Sequence, residues 1–108
     1  MPVVEINSPQ QFHEIINGSE PAIIDFWAAW CGPCRAISPV LEGFSDQAEN
    51  QGLKFYKVNV DEQRAISQEA GIRAMPTFFV YKDGQKIGDL LGANPQGLQN
   101  LIRTSLAK

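Results

Sequence analysis

The sequence predicts an α/β fold: a three-layer α/β/α sandwich about a central, mixed, five-stranded sheet, in the order βαβαβαββα. Three observations predict it. Short apolar runs rich in β-branched and aromatic residues alternate with amphipathic stretches of helical period. The first strands are separated by such helical stretches, which is how parallel strands are connected. Near the C-terminus, Lys82-Asp83-Gly84 lies between two β-type runs, and Asp-Gly in that setting is a strong hairpin signal.

Taken in order, Val3 to Ile6 reads as a short strand. Ser8-Pro9-Gln10-Gln11 opens a helix, with Ser as N-cap, Pro at the first helical position and Gln11 closing a capping box. That helix carries Phe12, Ile15 and Ile16 on one face and ends at Asn17-Gly18. The most apolar run, Ala22 to Ala29, is a buried strand, and Arg35 to Asn50 is a helix. Pro39 falls inside it and removes a hydrogen bond, which predicts a kink; Ile37, Val40, Leu41 and Phe44 continue the apolar face across it. Leu53 to Val60 is a strand, and Gln63 to Ala70 a short helix closed by Gly71. Thr77 to Tyr81 and Gln85 to Leu91 form the hairpin. Asn94-Pro95 caps a last helix that turns Leu98, Leu101, Ile102 and Leu106 inward.

The 108 residues read as one domain, 1–108, long enough to bury a core without staples. The net charge is −3 and the basic residues are scattered, so nothing points to nucleic acid or an anionic membrane surface. No apolar run approaches the roughly 18 residues of a membrane span. The start, Met1-Pro2-Val3-Val4-Glu5, lacks the basic and apolar segments of a secretory signal, so the expected setting is intracellular, where structural disulfides are uncommon.

The only two cysteines stand in Trp30-Cys31-Gly32-Pro33-Cys34, where the buried strand gives way to a helix. Unpaired N–H groups and the positive end of the helix dipole favour a thiolate there. Cys31 comes first, caps the helix with its sulfur at the solvent edge, and is the expected nucleophile. Cys34, one turn on and more shielded, is the expected resolving thiol. Gly32 admits an unusual backbone angle and Pro33 stiffens the loop, so these two residues should set the redox poise. Three other readings of the pair stand beside this one. A zinc or iron–sulfur site wants about four ligands, and His13 is the sole histidine. A structural staple would close only a tiny loop. Two inert buried thiols would sit oddly beside a Gly-Pro turn.

Asp25 breaks the pattern of its strand. Buried among Ile23, Ile24, Phe26 and Trp27, its carboxyl should hold a proton up to neutral pH and could accept the Cys34 proton; on a half-covered strand it would simply face solvent. Lys57, in Phe55-Tyr56-Lys57-Val58, could lie across from it or be an ordinary surface lysine. Met75-Pro76 precedes a strand, where Pro is often only an edge residue. Trp30 could be core packing, and Gly92-Ala93 a plain turn.

These motifs together resemble the thioredoxin family, nearly end to end: Asp25-Phe26-Trp27-Ala28, Trp30-Cys31-Gly32-Pro33-Cys34, Pro39, Lys57-Val58-Asn59-Val60-Asp61, Met75-Pro76-Thr77-Phe78, and Lys82-Asp83-Gly84 with Gly92-Ala93. The resemblance implies the thioredoxin fold and a protein-disulfide reductase serving cell redox homeostasis. Cys31 would attack, Cys34 would resolve, and Asp25 would accept the proton. It implies a cis Pro76 facing the cysteines and a substrate extended beside Met75 as in strand addition. Trp30, Val60, Ala74, Met75, Leu91, Gly92 and Ala93 would line the contact surface. No cofactor is implied beyond the redox-active Cys31–Cys34 disulfide. The implied partners are an NADPH-dependent thioredoxin reductase and disulfide-containing proteins such as peroxiredoxins and reductases, met by a cytoplasmic monomer. Arg35 stands where Lys is commoner in the family, and Met75 resembles eukaryotic members. An oxidant or isomerase of the same fold is the alternative, although those usually carry His where Pro33 stands. A non-catalytic binding subunit is the other.

Overall fold

The computed structural model describes residues 3–108. Its elements follow the expected order: β1 (Val4–Glu5), α1 (Pro9–Ile16), β2 (Ala22–Trp27), α2 (Gly32–Asp46), a 3₁₀ turn (Ala48–Asn50), β3 (Lys54–Asn59), α3 (Arg64–Ala70), β4 (Thr77–Lys82), β5 (Gln85–Leu91) and α4 (Pro95–Leu106). The sheet runs β1-β3-β2-β4-β5. β1, β3 and β2 are parallel, while β4 and β5 are antiparallel to their neighbours. The cysteine corner thus follows β2, the middle strand, with strands on both sides to fix it.

Side chains alternate across β2, so its two faces feed two cores. Ile23 packs with Ile37, Leu41, Phe78, Leu98 and Ile102 on the side of α2 and α4. Ile24 and Phe26 pack with Phe12, Val58, Ile66 and Phe79 on the side of α1 and α3. Asp25 shares the first face with Ile23. Each such fully buried aliphatic or phenylalanine side chain contributes about 1.5–3 kcal/mol.

Local chemistry accounts for the ends of the elements. Ser8 Oγ accepts the Gln11 N–H at 3.1 Å. The predicted reciprocal bond is displaced by one residue: Gln11 Oε1 accepts from the Asn7 N–H at 2.8 Å. Asn94 Oδ1 accepts the Gly97 N–H at 3.0 Å, opening α4. In the hairpin Asp83 and Gly84 have φ of 54° and 80°, the left-handed pair that a two-residue type I′ turn requires. The Asp83 and Gly84 N–H groups donate to Gly18 O and Ile16 O at 2.9 and 2.8 Å, pinning the hairpin tip to the end of α1.

Boundaries differ from the sequence reading chiefly at α2. It begins at Gly32, three residues before the expected Arg35, because Pro33 fits a first turn where its missing N–H costs nothing. It ends at Asp46 rather than Asn50, since Gln47 is extended (φ −75°, ψ 137°) and a separate 3₁₀ turn follows. The helix runs through Pro39 as one element, with Ile37 and Leu41 buried on either side of it. β1, β2 and β3 are each shorter than read, and β4 extends one residue further, to Lys82.

Candidate active site

Cys31 and Cys34 form a disulfide with Cα atoms 5.3 Å apart. Cys31 is the N-cap of α2: its backbone is extended and its Sγ accepts the Cys34 N–H at 3.2 Å. One corner therefore supplies both the covalent partner and a backbone donor to the first sulfur. The expectation of a sulfur at the solvent edge is corrected here. Cys31 is 5 % exposed and Cys34 2 %, so both are covered and their order alone holds. The cover comes from across the fold, where the Met75 carbonyl oxygen lies 3.6 Å from Cys31 Sγ. What the Gly-Pro turn exposes is Gly32 and Pro33 themselves. Arg35 folds back, donating from Nη1 to Ala29 O at 2.8 Å, and ties down the loop before the pair.

Asp25 is buried (3 % exposed), and burial pushes its carboxyl up to about 7 against the pull of Lys57, with Glu5 adding to the rise. The half-covered alternative is therefore set aside. Asp25 and Cys34 line one small cavity of about 90 Å³, together with Trp27, Arg35, Ser38 and Lys57. Among the described residues neither Asp25 Oδ1 nor Trp27 Nε1 has a hydrogen-bond partner. Lys57 is the register partner of Asp25 across β2 and β3, and its ammonium stands 5.6 Å over the Trp27 ring. Its ion pair, at 4.0 Å, is with Glu5.

The remaining residues gather around the disulfide. The Met75–Pro76 bond is cis and Pro76 is buried. Met75 is half-buried, and among the described residues its backbone N–H has no hydrogen-bond partner. Gly92, at φ 95°, donates to Pro76 O at 2.9 Å, which brings Leu91, Gly92 and Ala93 to the same rim. Trp30 and Leu91 are 66 % and 67 % exposed, so an apolar surface does border the pair. Ala74 is exposed as well, whereas Val60 is buried and underlies that surface.

Three contributors were not read from the sequence. Asp61 Oδ2 accepts from Trp30 Nε1 at 2.9 Å and holds the exposed indole in place. Ser38 and Trp27 complete the cavity behind Cys34. All three depend on contacts between elements, although Ser38 could have been found four residues after Cys34, on the same helical face. His13, by contrast, pairs with Glu69 between α1 and α3, at 2.8 Å. Among the described residues no cluster of three or more His, Cys, Asp or Glu is placed to hold a metal.

A cysteine pair at a helix start, with a carboxyl that ionises near neutrality lining the cavity behind it, defines a thiol–disulfide oxidoreductase. The thioredoxin family model matches residues 3–104. A thioredoxin of Coprinus comatus is 54% identical over 102 residues, covering 94% of this chain and 96% of that one. The crystal structure of Malassezia sympodialis thioredoxin superposes with a TM-score of 0.94 at 49% identity, covering 98% and 95% of the two chains. A chain from work on thiol resolution in the yeast mitochondrial 1-Cys peroxiredoxin superposes at 0.87, with 35% identity and 94% of each chain covered. The chain belongs to the thioredoxin family, and its activity is protein-disulfide reduction through the Cys31–Cys34 pair.

Proposed function

We propose the following division of labour. The Cys31 thiolate attacks one sulfur of a substrate disulfide; a Cys31–substrate disulfide forms, the substrate bond breaks, and the first substrate sulfur leaves as a thiolate that takes a proton from water. Cys34 then gives its proton to the Asp25 carboxylate and attacks Cys31 Sγ. The mixed disulfide breaks, the Cys31–Cys34 bond forms, and the second substrate sulfur leaves. Two electrons pass from the pair to the substrate.

The observation that carries this reading is the asymmetry of the corner. Cys31 alone sits at the N-cap with a backbone N–H on its sulfur, while Cys34 shares the cavity with Asp25. Gly32, Pro33 and Lys57 tune the potential through the loop and the field at Asp25. The substrate lies extended beside Met75, whose N–H is open to it, against Trp30, Ala74, Pro76, Leu91, Gly92 and Ala93, with Val60 beneath.

An NADPH-dependent thioredoxin reductase recharges the oxidised pair, and peroxiredoxins are among the substrates. The family membership and the peroxiredoxin context of one structural neighbour support both. A cytosolic monomer is the proposed setting, supported by a chain whose only cysteines are this pair. Insulin disulfide reduction with NADPH and a thioredoxin reductase tests the reading directly. Catalytic turnover of insulin is expected, and no NADPH consumption in the complete mixture rejects it.

A further inference from the structure

Glu5, Lys57 and Asp25 form one row across the sheet. β1 sets Glu5 opposite Lys57, and β2 sets Asp25 opposite the same lysine. Lys57 thus has a carboxyl group on each side. Glu5, on the edge strand, is about one-third exposed, like Lys57 itself; Asp25, on the middle strand, is buried. The ammonium goes to the edge. It pairs with Glu5 Oε1 at 4.0 Å, and among the described residues no ion pair joins it to Asp25, whose Oδ1 is left without a partner. The choice is physical: an ammonium is strongly hydrated, and pairing with Glu5 leaves it in contact with water, whereas pairing with Asp25 would bury two charges.

We propose that Glu5 is a positioning residue of the resolving step: by holding the Lys57 ammonium at the sheet edge, it leaves the Asp25 carboxyl able to take the proton of Cys34. This rests on the role given to Asp25 above. Without Glu5, the lysine is free to swing inward along the Trp27 ring, 5.6 Å away, and draw Asp25 toward its ionised form. A carboxylate so stabilised is a poorer proton acceptor. The other groups facing Asp25 do not do this work. On α2, Arg35, which lines the same cavity, is engaged with Ala29 O at 2.8 Å. Cys34 and Ser38 line the cavity without a formal charge, and on β4 the opposing residue is Phe78. Glu5 also raises Asp25 directly, by charge repulsion, and removing the lysine separates that direct effect from the hold of Glu5 on Lys57.

The test follows the Asp25 side-chain carboxyl by ¹³C NMR against pH in the oxidised protein, where neither sulfur titrates. Wild type, Glu5→Gln, Lys57→Met and the double variant are compared. Glu5→Gln should lower the Asp25 midpoint by about half a unit or more, roughly a threefold loss of proton affinity. In the Lys57→Met background less than half of that shift should remain. A smaller shift, or one that persists by half or more without the lysine, overturns the proposal. The acid limb of the resolving rate, read from decay of a preformed mixed disulfide, should move with the titration. A limb that stays while the titration moves overturns the Asp25 role, and with it the part of Glu5 in catalysis, but leaves the hold of Glu5 on Lys57 standing.

Discussion

Asp25 and Lys57 are register partners on adjacent strands, yet the carboxyl keeps its proton up to about pH 7 with the ammonium beside it. Desolvation outweighs the attraction of Lys57 at this position, and the ion pair of the lysine is with Glu5 at the sheet edge. The consequence for stability has a definite sign. Below the unfolded value of 3.8 the group is protonated in both states and contributes nothing. As pH rises the unfolded chain releases the proton first, so stability falls until pH passes about 7 and is then flat. The shift corresponds to about 4 kcal/mol at most. Asp25→Asn should therefore stabilise the oxidised protein by about 2–4 kcal/mol at pH 8 and by nothing near pH 3.5. Urea unfolding at the two pH values checks this; an equal gain at both would place the effect in packing rather than charge.

The same substitution should slow the resolving step at neutral pH by roughly 100-fold or more, the lower end of what a general base contributes, while leaving the first attack nearly unchanged. Stopped-flow reduction of a chromogenic disulfide separates the two phases. Loss in the first phase instead would move Asp25 from the Cys34 side of the reaction to the Cys31 side.

Trapping distinguishes the two sulfurs. Cys34→Ser should accumulate a Cys31–substrate disulfide visible on a non-reducing gel, with turnover reduced to background, and Cys31→Ser should accumulate none. The N-cap bond from the Cys34 N–H to Cys31 Sγ survives in the first variant and is lost in the second. An adduct through Cys34 would reverse the assignment.

Trp30 is held by Asp61 at 2.9 Å while its ring stays exposed, the posture of a contact residue rather than a core one. Trp30→Ala should lower kcat/KM for insulin by about 2 kcal/mol, roughly thirtyfold. Asp61→Ala, which only frees the ring, should cost about 1 kcal/mol on the same scale. Neither should shift the thermal midpoint appreciably. A fall in stability that tracks the fall in rate would return Trp30 to the packing role its apolar character first allows.

The sheet and its crossovers were legible because the central strands β2 and β4 are compact apolar runs, the Asp83-Gly84 turn marks the hairpin, and α1, α2 and α4 start at side-chain caps, Ser8, Cys31 and Asn94; α3 starts at Gln63 without one. The start of α2 was misread since Gly32-Pro33 looks like a turn, although Pro33 is equally suited to a first helical turn. The cysteine pair and Asp25 stood out by type and by pattern. The cover over Cys31 did not, because it comes from Met75, 44 residues away. Nor did the competition of Glu5 and Asp25 for Lys57, which exists only once β1, β3 and β2 are in register.

Gly88 shows how register also sets packing. A bulge between Val80 and Tyr81 of β4 and their partners Gly88 and Lys86 leaves Ile87 as the extra residue of β5. Gly88 lies where α4 crosses, and a Cβ there would stand 2.7 Å from Leu101 Cδ1 and 3.6 Å from Ser105 Oγ. The glycine is thus the allowance that lets α4 seat Leu98, Leu101 and Ile102 on the sheet. Gly88→Val should cost about 1–3 kcal/mol by overpacking, with the disulfide chemistry intact. Leu101→Ala alone should cost about 2–4 kcal/mol. In the double variant the two costs should fall short of their sum by about 1 kcal/mol, since each change makes the room the other needs. Urea midpoints of the four proteins measure the coupling, and strictly additive costs would mean that α4 does not rest on this position.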